Sequence, residues 1–137
     1  LMCNLLAAVK ANQLVVAVRD FDTQLPIEAR IYLQGSDGKD YFFETTVEEG
    51  TAVKYEKQNW INPRSIENHT TVSAHPCQCE LSPGVYTLTV ERGKTYFTHR
   101  QRIEVTEAYQ RITVDLRRWC DMESRGWYSG DLHLHRG

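Results

Sequence analysis

Neither sign of charge dominates this chain. Lys and Arg together number 16 and Asp and Glu 18, a net charge of −2 with histidine neutral. The basic residues are dispersed, which leaves no electrostatic footprint for nucleic acid or an anionic membrane. Long hydrophobic runs are also missing. The apolar opening LMCNLLAAVKA covers residues 1–11, whereas a bilayer needs about 20 apolar residues in a helix, so no transmembrane segment is expected. Helical periodicity is lacking throughout, and there is no internal repeat, Gly-rich phosphate loop, nucleophile elbow or cysteine in a protease context. The acidic residues Glu48, Glu49, Glu104 and Glu107 read as solvated turn or rim positions. What remains is 137 residues, 41% hydrophobic and 25% charged, a globular profile with core enough for one ordinary domain.

Cysteines are few: Cys3, Cys77, Cys79 and Cys120. The cluster HPCQC (75–79) invites a zinc reading, but structural zinc sites use longer spacers and a second half-site. On a strand, Cys77 and Cys79 share one face and fit a small buried pair better. The opening 1–11 ends in Val9-Lys10-Ala11, a small-residue pattern resembling a signal-peptidase site, and the chain starts on Leu1. Residues 1–11 are therefore either the remnant of an export signal or an ordinary first strand or short helix. If Cys3 leaves with them, at least one cysteine is unpaired; if it stays, three pairings are open.

The middle of the chain reads as strands. QLVVAVRD (13–20) is β-branched, and IEARIYLQG (27–35) alternates with Ala29, Ile31 and Leu33 on one side. SDGK (36–39) is a hairpin-type turn, and DYFFETTV (40–47) is its expected return strand. A polar stretch from Glu48 to Thr70 reads as a long connection. TVSAH (71–75) and CQCEL (77–81) follow, and the Pro83-Gly84 turn leads into VYTLTVERG (85–93), with Tyr86, Leu88 and Val90 on one face. YFTHRQRIEV (96–105) and QRITVDLRRW (110–119) complete the set, the latter placing Ile112, Val114 and Leu116 together. The expectation is an all-β fold, an antiparallel seven-stranded β-sandwich over residues 12–117.

After Leu116 the character changes to RRWCDMESRGWYSGDLHLHRG. Residues 118–130 read as an interdomain linker, with Trp119 and Trp127 as anchors and Gly126 and Gly130 as bends. Residues 131–137 read as a strand. The period of two puts Asp131, His133 and His135 on one face, with the imidazoles about 7 Å apart and able to reach one metal. Asp131 could itself ligate, or could hold an imidazole in the correct tautomer from behind.

Two resemblances follow from these residues. LPIEARIYLQGSDGK (25–39), and ELSPGVYTLTVERG (80–93) with its Leu81, Pro83, Gly84 and Tyr86, resemble a carboxypeptidase-regulatory-like domain, the prealbumin or transthyretin-like β-sandwich. GWYSGDLHLHR (126–136), preceded by Arg118-Trp119, resembles the opening of a PHP-type metal-dependent hydrolase domain of the CehA/McbA-like group. That resemblance implies that His133 and His135 are metal ligands from the first strand of a truncated catalytic barrel. It also implies divalent metal ions (zinc, manganese or iron) in a longer parent protein, and the downstream catalytic domain as the partner of this region. The other ligands of such a site have no counterpart here. The chain is expected to be an inactive fragment without tightly bound metal, from a bacterial protein exported to the periplasm or beyond.

A reading from another class is a non-catalytic module for a glycan or cell-surface partner. Tyr55, Trp60 and His69 would be its ligand surface, although a loop Trp more often plugs the edge of a sheet. Asn68-His69-Thr70 fits a glycosylation acceptor.

Overall fold

The structure is a computed structural model that describes residues 12–56 and 70–128. It is an all-β fold. The strands are β1 (Gln13–Asp20), β2 (Ala29–Gly35), β3 (Asp40–Tyr41), β4 (Glu44–Thr45), β5 (Ala52–Tyr55), β6 (Thr70–Ser73), β7 (Cys77–Glu80), β8 (Gly84–Glu91), β9 (His99–Val105) and β10 (Gln110–Leu116). They form two sheets, one ordered β10-β1-β7-β4 and the other β5-β6-β2-β8-β9, with β3 paired to β2. No helix among the described residues is long and apolar enough to cross a membrane.

The alternating patterns set the inner faces. Ala29, Ile31 and Leu33 on β2, Leu88 and Val90 on β8, and Ile103 and Val105 on β9 are buried from one sheet. Leu14, Val16 and Val18 on β1, Cys77 and Cys79 on β7, and Val114 and Leu116 on β10 meet them from the other in one core cluster. β1 is buried almost throughout, as suits a strand between two neighbours. Burying each large aliphatic side chain contributes about 1.5–3 kcal/mol, so the shared core is what holds the sheets together.

Three sequence expectations need correction. The expected return strand 40–47 is split: β3 pairs with β2 through Leu33↔Tyr41 and Gln34↔Asp40, whereas β4 pairs with β7 in the opposite sheet. Between them Phe43 turns inward, 2% exposed, and its backbone N–H donates to the Thr71 hydroxyl at 3.0 Å. Burial of that ring outweighs continuing the hairpin. Second, the connection 48–70 contains β5, antiparallel to β6 from Ala52↔Ser73 to Tyr55↔Thr70. As an edge strand it buries little, so its residues carry no clear apolar alternation. The described residues thus form ten strands rather than seven. Third, the pairing is not wholly antiparallel, because β1 and β10 run parallel from Leu14↔Gln110 to Asp20↔Leu116. Only adjacent strands joined by a tight turn are forced to be antiparallel. β10 arrives from β9 in the other sheet, so it is under no such constraint.

The Pro83-Gly84 turn behaves as read. Tyr86 is buried, and its hydroxyl donates to the Ser82 carbonyl at 2.8 Å, the geometry of a tyrosine corner. Its ring meets Tyr41 edge-on, with centroids 5.3 Å apart. The β8–β9 connection, which carries the site, leaves from the opposite end of β8, after Glu91.

Candidate functional site

At one end of the fold, the turn after β1, the β8–β9 connection and the segment after β10 converge on Asp20. This carboxylate is 3% exposed. Its Oδ1 accepts the backbone N–H groups of Asp22 and Thr23, both at 2.9 Å, and the Thr23 hydroxyl at 3.2 Å. Its Oδ2 accepts the Tyr96 hydroxyl at 2.7 Å. That hydroxyl in turn accepts Arg118 through Nε at 3.1 Å and Nη2 at 2.7 Å. Arg118 also lies 3.8 Å from Asp20 and reaches Asp121 at 3.1 Å. The Thr23 N–H and then the Tyr96 hydroxyl hold the Asp20 carboxyl down at about 2, while burial, ahead of Asp20 itself, pushes the Tyr96 phenol up. The proton therefore stays on Tyr96 at neutral pH. The cluster is a charge-assisted clamp and not an acid–base pair.

The clamp fixes the segment expected to be a linker. Tyr96 and Arg118 form an antiparallel bridge, flanked by Phe97 N–H to the Arg117 carbonyl and Trp119 N–H to the Thr95 carbonyl, both at 3.0 Å. Trp119 Nε1 donates to the Lys94 carbonyl at 2.7 Å. A short 3₁₀ turn, Glu123–Arg125, ends at Gly126 with φ of 77°, a left-handed conformation that favours glycine. The Trp127 N–H then returns to the Met122 carbonyl at 3.0 Å. Trp119 is tied down by its indole and backbone N–H groups while remaining 57% exposed. Trp127 is held by that backbone bond and is 67% exposed.

Between this segment and the β8–β9 connection lies an open cleft of about 840 Å³. Tyr96 and Arg118 form part of its wall, with Arg92 and Lys94 on one side and Trp127 and Tyr128 on the other. The size falls within the usual range of ligand sites, about 300–1,000 Å³.

Of the candidate ligand and surface residues named from sequence, Tyr55 is the one that falls among the described residues. Asp131, His133 and His135 lie outside the described residues, as do Trp60 and His69. Tyr55 ends the edge strand β5, half-exposed. Among the described residues no group of three or more His, Cys, Asp or Glu could hold a metal ion. In HPCQC, the His75 Nδ1 accepts the Thr51 N–H at 3.4 Å, while Cys77 and Cys79 enter the core. Burial pushes these thiols up to about 12 and about 11, so both are inert, as the strand reading implied.

Sequence reasoning missed Asp20 and Tyr96 altogether. Asp20-Phe21-Asp22-Thr23 does carry the signal of a side-chain-capped turn. Nothing local ties it to a tyrosine 76 residues away. No family model, curated protein or solved structure matches the chain.

Proposed function

We propose that this chain is the accessory region of an exported metal-dependent hydrolase of the PHP type, CehA/McbA-like. In this reading a transthyretin-like sandwich is followed by the linker that leads into the catalytic barrel. The observation that carries the proposal is the Asp20–Tyr96–Arg118 clamp. It spends a buried carboxylate and a guanidinium on fixing the segment that runs straight into GWYSGDLHLHR. A dangling tail has no use for such a device; a segment that must present the next folded unit in one orientation does. Two further features support the sandwich class: two sheets around one core, and the Leu81-x-Pro83-Gly84-x-Tyr86 pattern with its hydroxyl seated on Ser82.

In the parent protein, His133 and His135 would be two ligands of a divalent metal, with Asp131 behind them. Such a metal, when bound, makes hydroxide from water at neutral pH for attack on an ester, phosphoester or amide bond. The described residues supply no further ligand cluster. Their part is to hold the linker and orient the partner unit. The test is His133→Ala with His135→Ala in the full-length parent. Metal content and turnover should both collapse, and wild-type values for both would refute the ligand assignment. Weakening the clamp with Arg118→Met should leave metal content intact while loosening the linker, seen as faster amide exchange over residues 118–128.

A further inference from the structure

We infer that the cleft beside Tyr96 is a carbohydrate subsite for a neutral, β-linked oligosaccharide of gluco-configured pyranoses. The inference does not rest on the hydrolase reading.

Two adjacent aromatic residues, Trp127 and Tyr128, line the cleft while remaining 67% and 82% exposed. Among the described residues nothing covers these rings, although large aromatics normally bury most of their surface. Exposed rings beside a concave wall are what a flat ligand with an apolar face requires. A β-linked gluco-configured pyranose has every ring substituent equatorial, the anomeric one included, so its two flat faces present C–H groups that stack on an aromatic ring. Its rim presents hydroxyls that both donate and accept.

The rest of the lining matches that rim. Lys94 offers donors, while Glu123 and the Asp121 oxygen not taken by Arg118 and Ser124 offer acceptors. The remaining charges are largely engaged: Arg92 binds the Glu28 carboxylate and carbonyl, and Arg118 is held by Tyr96, Asp20 and Asp121. A tightly held anion would need free cationic forks, but Arg118 is committed to Tyr96, Asp20 and Asp121, and Arg92 already gives Nη1 to Glu28. A neutral ligand needs mixed donors and acceptors, and the cleft wall provides both. Tyr96 and Arg118 in this wall are already fixed by their bonds to Asp20 and to each other, so they need little ordering on binding. The site therefore differs from the Tyr55, Trp60 and His69 surface expected from sequence.

The test titrates the 137-residue chain with cellohexaose and, separately, with hexagalacturonate, by calorimetry and by following indole N–H signals in NMR spectra. Cellohexaose should bind and shift the Trp127 indole signal, while hexagalacturonate should bind at least tenfold more weakly. Trp127→Ala should weaken cellohexaose about tenfold, the value of one good ring stack, and Trp127→Phe should restore most of it. Tyr55→Ala and Trp60→Ala should leave binding unchanged. Because Trp127 is exposed, its variants should keep the wild-type urea midpoint, which separates lost binding from lost folding. No binding of cellohexaose at 10 mM overturns the inference (on the order of −3 kcal/mol or weaker). So does binding that survives Trp127→Ala, is lost with Trp60→Ala, or favours the acidic hexamer.

Discussion

Replacing Tyr96 by Phe removes one oxygen from the centre of the clamp and keeps the ring. Three hydrogen bonds go with it: the 2.7 Å donation to Asp20 and the two acceptances from Arg118. Asp20 is the group that suffers, since its Oδ2 stays 3.8 Å from Arg118 and loses its nearest donor. A hydrogen bond to a buried charge contributes about 1.5–3 kcal/mol, so Tyr96→Phe should cost about 2–3 kcal/mol at pH 7. The pH dependence provides a second readout. Asp20 is held at about 2 in the folded protein against 3.8 in the unfolded chain. A depressed carboxylate stabilises the fold fully above its unfolded pKa, and that contribution is lost as pH falls through the folded value. For this group it is about 2 kcal/mol, fading between roughly pH 4 and pH 2. Tyr96→Phe should raise the Asp20 pKa and so flatten this part of the profile.

Urea unfolding followed by circular dichroism at pH 7, 4 and 2.5 measures both effects. Tyr32→Phe is the control, since its hydroxyl makes only a part-buried 3.3 Å bond to Glu91 and its loss should cost less than about 1 kcal/mol. If Tyr96→Phe changes stability at pH 7 no more than Tyr32→Phe does, or leaves the acid slope as in the wild type, the clamp does not carry the energy assigned to it.

Two more outcomes follow from the core. Leu88 is fully buried between the sheets, so Leu88→Ala should destabilise the fold by about 2–5 kcal/mol in the same urea assay. With Cys3 replaced by Ser, a thiol reagent at pH 8 should label Cys120 in the native protein. Cys77 and Cys79 should react only on unfolding, because burial holds their thiols at about 12 and about 11; native labelling of either would contradict their placement in the core.

The carbohydrate subsite and the hydrolase reading meet at the same short stretch. The segment after β10 supplies Arg118, Trp127 and Tyr128 to the cleft wall and, in sequence, leads into the histidine pair. Their tests are separable, because the sugar titration reads Trp127 and the metal assay reads His133 and His135.

What the sequence by itself determined is local. The period-two patterns in 27–35, 85–93 and 110–116 named the inner faces correctly, because alternation is enforced by the pleat whatever the neighbouring strand is. The shared face of Cys77 and Cys79 was legible for the same reason, and the Pro83-Gly84 turn was legible from the backbone restrictions of those two residues. Only the tertiary structure decided which strands are neighbours. The split of 40–47 between two sheets, the edge strand β5 and the parallel β1–β10 pair all depend on where the chain crosses the core. Such crossings are set by the burial of single side chains such as Phe43, and alternation carries no record of them. The same is true of the clamp and the cleft. Asp20, Tyr96 and Arg118 come from the end of β1, the β8–β9 connection and the segment after β10, and meet only because two sheets close over one core, so their chemistry belongs to the fold and not to any local string.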